Sequence, residues 1–362
     1  SINVTAPLVD VGFGMPHEIK ALNQSLEGTV ALMASGYEPF TFPESLTLRL
    51  ERLSKLGVVG CITPHATGGR HTAHGHASDW RDHNPNDVPL PLIHTSREDG
   101  ALLMRRAAAG TSVTVRVDSK QLNETSSNVI GDLTGTNWPD EWIILGAHHD
   151  TTVDSPGAND NASGCTVVLE TARLLAQLQQ EYNISPGRSI RFATFGSEEQ
   201  GLQGSTAFVK KHYGNDPIPR LMINLDELAT GAMKGVALQF PELRPLIQRE
   251  LDAMNEGLTC HVMSQMDSSG DMFPFALRGI QSGMLWRWRF VGRHPDASFG
   301  HSSSDTLDKV RTRELKEYAG LLARLLLRVS HTTPDQWPEK SLDIDEIAAR
   351  TASERGSAAR TM

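Results

Sequence analysis

Five short segments carry histidine or carboxylate side chains where an apolar stretch ends or a helical one begins. They are Gly146-Ala147-His148-His149-Asp150, residues 156–164, residues 195–205, Asn224-Leu225-Asp226-Glu227 and residues 300–306. Their donors are nitrogen and oxygen with no thiolate, which suits a catalytic rather than a structural divalent-metal site. His148 and Asp150 are two apart, so in extended chain they point the same way. A metal-binding imidazole needs its other nitrogen held, commonly by a carboxylate. His148 therefore reads as a ligand and Asp150 as the group that orients it, while His149 faces the other way as a packed neutral histidine. In Gly157-Ala158-Asn159-Asp160-Asn161-Ala162-Ser163-Gly164, small residues let the chain bend tightly and bring Asp160 to a crowded point where it could bridge two cations. An Asp/Asn helix cap accounts for the same residues. Glu198 and Glu199 follow a strand, and consecutive side chains there diverge, so one can bind metal while the other faces water. Acidic residues that favour a helix N-terminus are the alternative. With Asp226 and His301, the set comprises two histidines, three metal-binding carboxylates and a spare glutamate. Two zinc ions carry four positive charges, which three carboxylates nearly balance.

Placing these groups together requires the elements around them to converge. From about residue 125 the pattern alternates strand and helix. Residues 128–133, 142–148, 189–195 and 221–225 read as strands. Residues 163–178, 200–212, 243–254 and 315–329 read as helices, the first with an apolar stripe through Val167, Leu174, Leu175 and Leu178. Such alternation predicts an α/β fold, a mainly parallel mixed sheet flanked by helices. Active sites of these sheets gather at the carboxyl ends of the strands, where the five segments fall. Residues 1–120 read as a smaller unit. Strands at 29–33 and 57–62 flank a helix at 46–56, a polar His-rich loop spans 64–88, and strands at 88–94 and 112–117 follow. The expected division is 1–120, 121–332 and a polar tail 333–362 with a short helix near 344–350.

The chain has 362 residues and a net charge of −9, from 34 basic and 43 acidic side chains. That balance leaves no basic excess to neutralise phosphates, so nucleic acid is not the expected partner. No apolar run approaches the ~20 residues of a membrane span. Cys61, Cys165 and Cys260 are far apart, and no Cys-x-x-Cys motif points to a thiolate site. Five Asn-x-Ser/Thr sequons occur, one of them at Asn161 inside the metal loop, where a glycan would not fit.

The order and spacing of His148-x-Asp150, the 157–164 run, Glu198-Glu199-x-Gly201-Leu202-x-Gly204-Ser205, Asp226 and His301-x-x-x-Asp305-Thr306 resemble the M28 family of co-catalytic zinc peptidases. That family includes secreted aminopeptidases and glutamate carboxypeptidases. The run Gly57-Val58-Val59-Gly60-Cys61-Ile62 resembles part of the protease-associated domain that many members carry. The resemblance implies two Zn2+ ions and a peptide substrate. His148, Asp160 and Asp226 would bind one ion, and Asp160, Glu199 and His301 the other. Glu198 would act as general base, Asp150 would orient His148, and Asp305 would do the same near His301. Aminopeptidase activity is expected ahead of a carboxypeptidase or dipeptidase, a one-zinc glutaminyl cyclase, or a non-catalytic receptor-like module. The family also implies a secreted or periplasmic site of action, although no signal-like segment opens the chain, and catalytic elements before the inserted domain, so the chain reads as an N-terminally truncated fragment. Asp271-Met272-Phe273-Pro274-Phe275 resembles the family's Ser-Asp-x-x-Pro-Phe segment, with Gly270 where Ser is usual. Arg287, Arg289 and Arg293 read either as receivers of a substrate carboxylate or as structural residues packed on Trp286 and Trp288.

Overall fold

The computed structural model describes residues 2–36, 44, 46–66, 68–69, 89–118, 122, 124–214, 219–229, 233–254, 260–287, 299–338, 345–347 and 349. The chain forms two compact units. One comprises Ser1–Glu124 with His301–Ser304, and the other Thr125–Gly300 with Asp305–Ala352.

In the first unit the order is β1 (Ile2–Asp10), α1 (Pro16–Ala21), β2 (Val30–Leu32), α2 (Leu46–Lys55), β3 (Gly60–Pro64), β4 (Leu92–Thr95), α3 (Arg97–Ala108) and β5 (Ser112–Val117). The sheet order is β4-β3-β2-β1-β5, parallel except for β5, which runs against β1. Alternation along β2 serves both faces. Ala31 packs with Leu50 and Leu53 of α2, whereas Val30 and Leu32 join the cluster against which Leu103 and Ala107 of α3 pack. β1, α1 and α3 go beyond the sequence reading. α3 starts where Ser96 Oγ accepts from the Asp99 amide at 3.0 Å, a local cap signal that its weak apolar stripe obscures. Of the His-rich loop, His71, His74, His76 and His83 lie outside the described residues.

The second unit contains β6 (Val129–Leu133), β7 (Trp138–His148), α4 (Gly164–Tyr182), β8 (Arg188–Phe195), α5 (Gln203–Tyr213), β9 (Leu221–Asn224), β10 (Met233–Leu238), α6 (Arg244–Met254), β11 (His261–Ser264), α7 (Met272–Leu277), β12 (Ser282–Arg287) and α8 (Thr312–Ser330). The strand order is β11-β10-β12-β9-β7-β8-β6. β12, β9, β7 and β8 are mutually parallel, and β6 and β10 supply the antiparallel pairs. α4, α6 and α8 pack on one face, with Val167, Ile247 and Leu322 fully buried. On the other face α5 and α7 contribute Phe208 and Phe275. This is the α/β fold expected, a mainly parallel mixed sheet covered by helices.

The core of this unit runs past residue 332. Trp337 is buried in the main cluster. The Arg188 guanidinium sits 4.4 Å from the Trp138 ring and 4.9 Å from the Trp337 ring. Ile347, in a short helical stretch, packs with Phe240 and Ala276. Ile344, Arg350 and residues 351–362 lie outside the described residues.

Candidate metal centre

Register sets the site. On β7, His148 pairs with Phe195 of β8, and Gly146 pairs with Asn224 of β9. Three parallel strands therefore end at about the same level, and the residues just beyond them are Asp150, Glu198-Glu199 and Asp226. His148 is 1 % exposed. Its Nε2 lies 3.2 Å from Asp160 Oδ1, 3.4 Å from Asp226 Oδ1 and 3.9 Å from Glu198 Oε2. Its Nδ1 lies 3.1 Å from the Asp150 carbonyl oxygen and 3.6 Å from Asp150 Oδ1. The orienting role read for Asp150 thus involves its backbone more closely than its side chain. The Asp150 carboxylate has a second task, accepting from the amides of Glu198 at 3.0 Å and Glu199 at 3.2 Å. One aspartate thereby ties the end of β7 to the turn after β8.

The metal loop is held from two directions. Asp305 accepts the Asn159 amide at 2.8 Å and the Asp160 amide at 2.9 Å. Asn161 donates to the Leu225 carbonyl at 2.8 Å and accepts the Gly164 amide at 2.9 Å. Asn161 rather than Asp160 therefore serves the first turn of α4, and Asp160 turns toward His148. The Asp160–Asn161 peptide bond is cis. Gly164 is required here because a Cβ would lie 2.3 Å from Asn161 Oδ1 and 2.5 Å from the Leu225 oxygen.

Among the described residues, His148, Asp160 and Glu199 offer ligand atoms that all lie within 4.8 Å of one another. Asp226 joins them through its approach to His148. Its Oδ1 is buried without a hydrogen-bond partner. An imidazole nitrogen facing several carboxylates around one point fits a divalent cation. His301 is not in this group and falls in the stretch grouped with the first unit. His149 bonds Thr194 at 3.2 Å and is exposed, not packed as the sequence suggested. Cys165 Sγ donates to the His148 carbonyl at 2.9 Å. Burial pushes its thiol up to about 11, so it is an inert thiol that steadies the ligand strand.

The electrostatics follow from crowding. Burial alone would lower the His148 pKa, but Asp226, Asp150 and Asp160 outweigh it and hold the metal-free imidazole well above its ordinary value. Burial raises Glu198 well above the usual carboxylate range, against the pull of His148 and with the help of Asp271, Asp226 and Glu199. Burial likewise opposes Asp150, yet His148 and the two amides bring it below its usual value. Asp271 is fully buried, and burial pushes it up to about 7. The residue before it is glycine because a Cβ there would lie 2.9 Å from Asn224 Nδ2. Of the three arginines read as possible substrate contacts, Arg289 and Arg293 lie outside the described residues, while Arg287 ends β12. Sequence reasoning missed the anchoring roles of Asn159 and Asn161; the signal available was a pair of amides flanking a loop aspartate.

The profile of peptidase family M28 matches residues 128–326, more than half of the chain. The chain belongs to this family. It is 27 % identical over 337 residues to aminopeptidase YwaD of Bacillus subtilis, covering 88 % of this chain and 66 % of the relative. It is 29 % identical over 274 residues to a probable leucine aminopeptidase 2 of Aspergillus oryzae, covering 72 % of this chain and 52 % of the relative. The chain thus spans between about half and two thirds of the length of these relatives. The solved structure of BSAP, a zinc aminopeptidase from Bacillus subtilis, shares the fold with a TM-score of 0.69 at 22 % identity, covering 94 % of this chain and 79 % of that one.

Proposed function

We propose that the chain is a zinc-dependent exopeptidase that removes residues from free amino termini. The observation that carries this reading is the convergence of Asp160, Asp226 and Glu198 on His148 Nε2, with Glu199 in ligand range of the same point. The names of the M28 relatives, aminopeptidases among them, support it. We assign His148, Asp160 and Asp226 to one ion, Asp160, Glu199 and His301 to a second, and the first unit to a protease-associated-like role. Zinc bound there would polarise the scissile carbonyl and acidify a water molecule.

The chain's own residues do the rest. Asp150 fixes the imidazole and the turn that carries both glutamates. Asp305 and Asn161 fix Asp160. Glu198, whose burial holds its carboxylate above the usual range in the metal-free protein and whose Oε2 lies 3.9 Å from His148 Nε2, takes a proton from the attacking water and gives it to the leaving amine. The test is metal analysis together with hydrolysis of leucyl-p-nitroanilide, its N-acetyl form and a peptide with a free C-terminus. Two zinc ions per chain, activity abolished by chelator and restored by zinc, and cleavage dependent on the free amine are expected. Full activity in metal-free protein, or dependence on a free C-terminus, would overturn the reading.

A further inference from the structure

The turn that carries Glu198 and Glu199 leaves β8 at Gly196 and enters α5 at Gln203. Within it the Glu198 carbonyl accepts the amides of Gly201 and Leu202, both at 2.8 Å, and the Ser197 carbonyl accepts the Gln203 amide at 3.1 Å. Ser197 and Leu202 have left-handed backbone, with φ of +58° and +56°. Residues other than glycine keep that conformation only where their surroundings impose it. The Asp150 carboxylate fixes the middle of the turn through the amides of Glu198 and Glu199. The two ends need a clamp of their own.

Asn128 supplies it. The ladder between β6 and β8 ends with the pair Val129 and Thr194. One residue before that pair, the Asn128 side chain takes over. Its Oδ1 accepts the Gly196 amide at 3.1 Å, and its Nδ2 donates to the Gly204 carbonyl at 2.9 Å. One planar amide thus bonds both ends of the turn. An ionised aspartate, which only accepts, could not do this. The two glycines make the closure possible. A β-carbon on Gly204 would strike the Gly196 carbonyl oxygen and lie 2.6 Å from Asn128 Oδ1. One on Gly196 would strike Ser126 Oγ and lie 2.8 Å from the Ser127 carbonyl oxygen. Backbone therefore packs directly on backbone, and the segment before β6 lies against the turn. Both side-chain bonds of Asn128 go to the backbone of this turn, so its contribution to the centre passes through the placement of the two glutamates.

We infer that Asn128 is a positioning residue for the hydrolytic reaction: by tying Gly196 to Gly204 it sets where the Glu198 carboxylate stands relative to His148. The expected effect on rate rests on the exopeptidase reading, whereas the effect on the turn does not.

Two variants of the full chain separate this role from simple support of the sheet. Asn128→Ala removes both bonds. Asn128→Asp keeps the acceptor for Gly196 and loses the donor to Gly204, and it serves where the alanine variant does not fold. At saturating zinc, with leucyl-p-nitroanilide, the alanine variant should lose about 10²-fold in kcat, the cost of misplacing a reacting group by about 1 Å. KM should stay unchanged, and the aspartate variant should lose less. Native-state hydrogen exchange gives a reading that needs no substrate. The amides of Glu198, Glu199, Gly201 and Leu202 make no bond to Asn128, yet they should exchange faster in both variants while those of β7 and β9 keep their rates. Faster exchange in a chain that turns over no substrate would uphold the clamp and count against the peptidase reading alone. Unchanged exchange of those four amides, or a lowered melting temperature with kcat unaltered, would overturn the inference.

Discussion

Glu198 and Glu199 are neighbours of the same type with their amides bonded to the same aspartate, yet their proposed tasks differ. Glu199 lies in the ligand group, so Glu199→Ala should lower zinc content as well as rate. Glu198→Ala should keep both ions and lose activity by at least ~10²-fold, the lower end of what a positioned general base contributes. Metal analysis and one rate assay on the two variants decide it, and the reverse pattern would exchange the roles. His148 allows a test without substrate. In the metal-free protein its pKa is raised above the unfolded value, so the bound proton stabilises the fold fully below about pH 6.5 and ceases to do so as pH rises through the folded value. The raised Glu198 and Asp271 act in the same direction over this range. Metal-free protein should therefore melt at progressively lower temperature from pH 6 to 9, whereas the zinc-loaded form, with metal in place of the proton, should not. Thermal scans with and without chelator measure the difference.

The elements that place these residues were legible to different degrees. β7, β8, β9, α4 and α8 stand within a few residues of the spans that apolar periodicity suggested, because each is long or fully buried and the hydrophobic pattern dominates. The strands β10 and β11, at the other side of the sheet, and the short helix α7 are not announced in the sequence. Gly235 interrupts β10 at a register shift, and α7 carries a proline within six residues. The proximity of His148, Asp160 and Asp226 was foreshadowed by the motifs that carry them, but which asparagine holds which backbone group was not, since a cap and a candidate metal loop use the same residues. The join of the metal loop to α4 offers a test at this scale. In Gly164→Ala the new methyl collides with Asn161 and with backbone at Leu225, so stability should fall by about 1–3 kcal/mol, the usual cost of overpacking. Zinc affinity should fall with it, because the same asparagine anchors the loop. Denaturant unfolding and metal titration of the variant report the two effects separately.

For the molecule as a whole, the second unit is closed by residues far apart in the chain. Arg188 stacks between Trp138 and Trp337 and donates to Glu141 and to the Ser330 carbonyl. Trp337→Ala should therefore cost about 3–5 kcal/mol, the range for emptying a buried aromatic site. Chemical unfolding measures this, and a change within 0.5 kcal/mol would show that the core ends before residue 333. The bonds from Asp305 to the amides of Asn159 and Asp160 span 146 and 145 positions. At translation rates of about 5–20 residues per second, Asp305 is added roughly 7–30 s after the loop it pins. The ribosome thus releases the metal loop well before its anchor exists. A chain still being synthesised should therefore be unable to pin Asp160 in place, and the proposed metal centre has to wait for the segment that carries Asp305.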